Sequence, residues 1–103
     1  MKPVLIISTY PNKKSILKIA NELVKTKIIA CVNISKIDSI YSWNDKIQNS
    51  SEYIVIFKTV KKNKIKLKKK IAETHPYDVP EIVEIDVTSI NKSYLNWLIE
   101  STN

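Results

Sequence analysis

The sequence predicts a single α+β domain over residues 1–103, with one sheet carrying helices on one face and a further helix at its C-terminal end. Strand-like and helix-like stretches follow one another in the order β-α-β-β-α-β-α. Asn44-Asp45 joins two strand-like stretches as a hairpin turn. The two longer helical stretches are amphipathic, which suits a layer packed on a sheet.

Val4-Leu5-Ile6-Ile7 is a continuous apolar run of the kind found in a strand buried on both faces. Tyr10-Pro11-Asn12 ends it, and Asn12 can cap the helix that follows. Ile16, Ile19, Ala20, Leu23 and Val24 recur at helical spacing up to about Lys27. Cys31-Val32-Asn33-Ile34 and Ser39-Ile40-Tyr41-Ser42-Trp43 are strand-like, and the polar Ser35-Lys36 between them predicts a bulge or bend. After the turn, residues 52–59 are rich in β-branched and aromatic side chains. Residues 61–74 predict a second helix, whose stripe of Ile65, Leu67, Ile71 and Ala72 runs among seven Lys. Pro76 must lie beyond its end. Val83, Ile85 and Val87 alternate with Glu84 and Asp86 as in a one-sided strand. A last helix follows, with Ser93 as its cap and Tyr94, Leu95, Trp97 and Leu98 as packing residues. The first six elements have the order of the ferredoxin-like, split βαβ arrangement.

Helices on one side of a four-stranded sheet leave the other side open. Ile40, Tyr41, Trp43, Ile54 and Ile56 put large apolar side chains on both faces of these strands. An apolar patch of that extent marks an interface, so the sequence predicts sheet-mediated homo-oligomerisation.

The formal charge is +7, which raises nucleic acid as a partner. All 17 basic residues are Lys, however, and the chain has neither Arg nor Gly. Arg is the side chain that reads guanine edges and clamps phosphate bidentately. Abundant Lys, Ile and Asn without Arg or Gly has the look of compositional drift, so much of the charge counts as background. The third-strand signature of an RNA-recognition domain needs a Gly that residues 52–58 do not contain. A lone cysteine, Cys31, points to a reducing compartment, and no stretch has the pattern of a signal peptide or membrane span. The expected setting is cytoplasmic and soluble.

Phosphate-binding and dinucleotide loops both require Gly, and neither C-x-x-C nor H-E-x-x-H spacing occurs. Cys31, among apolar neighbours, reads as a small buried hydrophobe. The most informative segment is His75-Pro76-Tyr77-Asp78-Val79-Pro80-Glu81. His75 is the only His; it either caps the preceding helix or binds a metal together with Glu52 or Glu81. Pro76 and Pro80 fix backbone angles on either side of Tyr77, which pre-orients the side chains between them. Lys58 ends a central strand, where it can hold an anion or pair with Glu81. Trp43 and Tyr41 precede the hairpin turn, where they can pack on a neighbouring chain or stack on a base.

Ala30-Cys31-Val32-Asn33-Ile34, Ser39-Ile40-Tyr41-Ser42-Trp43 with Lys46-Ile47, Glu52-Tyr53, Lys58-Thr59, the block from His75 to Ile82, and Tyr94-Leu95 with Trp97 follow one another along nearly the whole chain. In these blocks the chain resembles the CutA divalent-cation-tolerance family. It implies a non-enzymatic subunit of a compact homotrimer, built by pairing sheets between subunits and related in architecture to the PII signalling proteins. It implies divalent-metal tolerance, with copper as the reported metal and His75 as the metal-associated residue. Glu52, Lys58, Tyr77, Glu81 and Trp43 would line clefts between subunits. Ser8 and Thr74 stand where some members carry Cys and His, and hydroxyls are weak ligands for such a metal. The expected site is therefore weak and no cofactor obligatory. A PII-like sensor of a small anionic metabolite or nucleotide is the alternative, and an RNA-binding module the second alternative.

Overall fold

The computed structural model describes residues 1–103. Strand β1 (Pro3–Tyr10) leads into helix α1 (Lys13–Lys25), followed by β2 (Cys31–Trp43) and β3 (Lys46–Val60). A single 3-10 turn (Lys61–Asn63) opens helix α2 (Lys64–Thr74); β4 (Val83–Asp86) and α3 (Lys92–Ser101) complete the chain. The strands form one sheet in the order β2-β3-β1-β4, antiparallel at every pairing. This is the ferredoxin-like α+β architecture.

Alternation along β1 decides which side of the sheet is covered. Val4, Ile6, Ser8 and Tyr10 point to one face and are fully buried. Their partners on that face are Thr59, Phe57, Val55 and Tyr53 of β3. Ile16, Ile19, Ala20 and Leu23 of α1 and Leu67 and Ile71 of α2 close over them in one core. Helix α1 begins where expected, because the Asn12 side chain accepts the Ser15 N–H at 2.9 Å. Val24 lies off the buried stripe and is exposed. In α2 only Leu67 and Ile71 are buried; Ile65 is 75% exposed and Ala72 is also outside, so half of the anticipated stripe faces solvent.

Residues 44–45 turn the β2–β3 hairpin with φ of 53° and 59°, the left-handed pair that a two-residue hairpin turn demands. The expected interruption at Ser35-Lys36 is absent. Ser35 pairs with Ile54 and Lys36 with Tyr53 in an unbroken register from Cys31↔Lys58 to Trp43↔Lys46. Strand β3 is correspondingly longer than expected and begins at Lys46. Since β1 stops at Tyr10↔Tyr53, residues 37–43 and 46–52 pair only with each other. They form a two-stranded arm reaching about 20 Å beyond the sheet. This arm draws the molecule out to 45 Å in its longest dimension against 26 and 21 Å in the others.

The alternation of β4 is inverted relative to the helix layer. Glu84 and Asp86 lie on the helix side, where Glu84 binds Lys64 and Lys68 and Asp86 approaches Lys61 at 3.5 Å. Val83 and Ile85 point to the open face and remain 44% and 40% exposed. They lie beside Leu5 and Ile7 of β1, opposite Ile56 of β3. Helix α3 covers one end of this open face through Leu98, packed with Ala30 and Val60. It starts at Lys92 with Asn91 as its N-cap residue, so Ser93 lies inside the helix and not at its cap. Cys31 is only half-buried, on the open face beside Lys58, and is not a core residue.

Candidate functional site

The segment from His75 to Glu81 leaves the end of α2 and crosses the end of β1 towards the arm. His75 is the residue at which α2 turns extended, with φ −71° and ψ 135°. Its ring does not cap the helix. It lies against the Tyr10 ring, centroid to centroid 4.2 Å, and 5.1 Å from the ring of Tyr77. The Tyr77 backbone N–H donates to Nδ1 at 3.0 Å. Nδ1 therefore carries the lone pair and Nε2 the hydrogen, which is donated to the Thr9 carbonyl at 2.8 Å. Strand β4 pairs with β1 only as far as Ile7, so the histidine satisfies a strand carbonyl beyond the end of its neighbour. Burial lowers the His75 pKa, while the Thr9 carbonyl and the nearby Glu52 charge oppose the shift.

Tyr77 passes the connection on to the arm. Its hydroxyl donates to the Glu52 carboxylate at 2.7 Å. Burial, followed by the bond and the charge of Glu52, pushes the Tyr77 phenol far above its usual pKa. Glu52 is 8% exposed, which is low for a carboxylate, and Tyr77 supplies the hydrogen bond such a group requires.

Trp43, Glu52, Tyr77 and Glu81 line one open concavity of about 740 Å³ between the arm and the proline-braced segment. Thr9, Ile37, Tyr41, Gln48 and Asp78 share its wall. Lys58 does not belong to this group. It pairs with Leu5 and Cys31 at the other end of the sheet, with its ammonium 5.6 Å from the Tyr94 ring centroid. Six residue steps along β3 separate it from Glu52 by about 20 Å, so the two cannot meet within one subunit. Ser8 is fully buried beneath the helices, on the opposite side of the sheet from Glu52. Thr74 donates its hydroxyl to the Lys70 carbonyl at 2.7 Å. Neither hydroxyl reaches the concavity. No cluster of three or more His, Cys, Asp or Glu side chains suited to a metal occurs in the subunit.

The sequence matches the CutA1 divalent ion tolerance protein family over residues 4–101. The chain belongs to this family. It is 40% identical over 99 residues to the divalent-cation tolerance protein CutA of Pyrococcus horikoshii, covering 96% of this chain and 97% of that protein. The corresponding protein of Thermotoga maritima is 36% identical over 98 residues, covering 95% and 97% of the two chains. The crystal structure of divalent ion tolerance protein CutA1 from Ehrlichia chaffeensis superposes with a TM-score of 0.94 at 38% identity, over 100% of this chain and 98% of that one. The CutA1 fold is thus reproduced from end to end, arm included.

Tyr10, Thr9, Ile37 and Gln48 were not found from the sequence. Tyr10, the stacking partner of His75, looked like strand-end punctuation, and Thr9 contributes only its backbone. Asp78 lies within the segment from His75 to Glu81, but no sequence signal distinguished it from its neighbours.

Proposed function

We propose that this chain is a non-catalytic divalent-cation tolerance protein that works as a homotrimer, its subunits joined through the open sheet face and the arm. The observation that carries the assembly is the orientation of β4. Val83 and Ile85 face away from the α1–α2 layer, on the side that α3 covers only at one end, and stay 44% and 40% exposed. The arm adds Ile40, Trp43 and Ile47, exposed by 72%, 55% and 69%. A two-stranded hairpin is marginal by itself in water, and covering each such side chain is worth on the order of 1–2 kcal/mol. A sheet that pairs with its copies supports the arm and removes the patch together. Family membership supports the tolerance role, and copper is the metal we expect the protein to meet.

The non-catalytic reading rests on His75. Its two nitrogens are committed to the Tyr77 amide and the Thr9 carbonyl, which leaves no lone pair for general-base work. The same commitment makes any metal site at His75 weak, because a cation must displace the Tyr77 amide from Nδ1 at a cost of about one hydrogen bond. Glu52 and Glu81 supply the carboxylates, and a neighbouring subunit completes the ligand set. Calorimetric titration with copper(II) at neutral pH tests this. Weak binding that disappears in His75→Ala and fades below about pH 6 supports the site. Undiminished affinity in His75→Ala removes His75 from it.

A further inference from the structure

The positive charge of this chain is segregated. Residues 13–27 and 61–74, which comprise α1 with its following turn and the 3-10 turn with α2, hold 12 of the 17 Lys but only 2 of the 10 acidic residues. The helix layer therefore carries a surplus of ten positive charges, whereas the remaining five Lys are outnumbered by eight acidic residues. Compositional drift explains Lys in place of Arg. It does not explain a basic layer on one side of the sheet and a mildly acidic remainder.

Few of these lysines are neutralised. Lys61, Lys64 and Lys68, at the edge next to β4, are the ones that meet a carboxylate. On α1, Lys14, Lys18 and Lys25 are exposed along the line opposite the buried stripe, and no acidic residue occupies the first turn. The layer also exposes aliphatic side chains among the lysines: Leu17 and Val24 at 44% each and Ile65 at 75%. Ile65 and Lys69 stand one turn apart on the outer side of α2.

We propose that the outer surface of the α1–α2 layer docks on a bilayer rich in anionic phospholipid. A nucleic acid fits this surface less well. Neither segment contains an Arg to clamp phosphate or an aromatic side chain on which a base could stack. Lysine point charges interspersed with exposed aliphatics are the composition of an interfacial helix face, in which the charges draw the protein to the headgroups and the aliphatics enter the boundary. Two helices side by side present a broad front to a planar partner. The layer lies on the opposite side of the sheet from the open face, so docking does not compete with assembly.

Co-sedimentation with unilamellar vesicles tests the proposal, comparing pure phosphatidylcholine with phosphatidylcholine containing phosphatidylglycerol. Binding is expected only with phosphatidylglycerol and is expected to weaken as salt is raised. The Lys14→Glu/Lys18→Glu/Lys69→Glu variant, verified as folded by its circular dichroism melt, should lose more than about a hundredfold in partitioning. Lys2→Glu/Lys92→Glu, outside the layer, should stay within about threefold of the parent protein. Binding that ignores phosphatidylglycerol, or an equal loss in the two variants, overturns the proposal. So does tighter binding to a duplex DNA oligonucleotide than to the vesicles, which would assign the layer to nucleic acid.

Discussion

The Tyr77 hydroxyl donates to the Glu52 carboxylate at 2.7 Å and so ties the proline-braced segment to the root of the hairpin arm. Glu52 is the buried acidic residue of this subunit, and no Lys lies within salt-bridge distance of it. Its solvation inside the protein depends on that bond.

Tyr77→Phe deletes the bond and leaves a buried carboxylate behind. The variant should unfold with a loss of about 1.5–3 kcal/mol in chemical denaturation, more than an exposed tyrosine would cost. The double variant Tyr77→Phe/Glu52→Gln should recover part of the loss. A loss below about 0.5 kcal/mol in the single variant would show that water already satisfies Glu52.

His75 gives the fold a pH dependence of definite sign. Its folded pKa lies below the ordinary value of 6.5, so the unfolded chain binds the proton more readily. The stability this residue contributes is complete above 6.5 and is lost as the pH falls from 6.5 through the lower folded value. Protonation also places a hydrogen on Nδ1, facing the Tyr77 N–H. Denaturation midpoints should therefore fall through this window, and His75→Gln should flatten the dependence. An imidazole NMR titration with its midpoint at or above 6.5 would contradict the assignment.

Tyr10 and Ser8 carry buried hydroxyls with no hydrogen-bond partner. Burial pushes the Tyr10 phenol up to about 12; the nearby Ser8 hydroxyl opposes the rise but does not reach hydrogen-bonding geometry. An orphaned buried hydroxyl costs about 1–3 kcal/mol, so Tyr10→Phe, which keeps the ring against His75, should raise the melting temperature. A clear fall in melting temperature would reveal a partner for the phenol, such as a buried water.

Much of this architecture was legible in the sequence because local chemistry and global fold agree. Asn12 signals the start of α1, the 3.6-residue period its buried stripe, and Asn44-Asp45 the turn. What was not legible has separate physical causes. Alternation along a strand shows that two faces exist without saying which one the helices cover, and in β4 the apolar side turned away from them. Ser35-Lys36 suggested a bend because polar residues interrupt an apolar pattern. Those residues lie in an edge strand, whose register is carried by backbone pairing with β3. The role of His75 was hidden because its acceptor, Thr9, is 66 residues earlier in the chain. Lys58 and Glu52 stand six positions apart on one strand, which separates them within a subunit; the cleft expected from the sequence lies between subunits, where a neighbour supplies one of the two.

The open face and the arm are expected to meet copies of the same chain. Native mass spectrometry of the purified protein at micromolar concentration, alongside the Ile85→Asp variant, checks this. A trimer is expected for the parent protein and a folded monomer for the variant, since an aspartate in place of Ile85 leaves the helix-side core untouched. A parent protein that remains a folded monomer over that concentration range would contradict it.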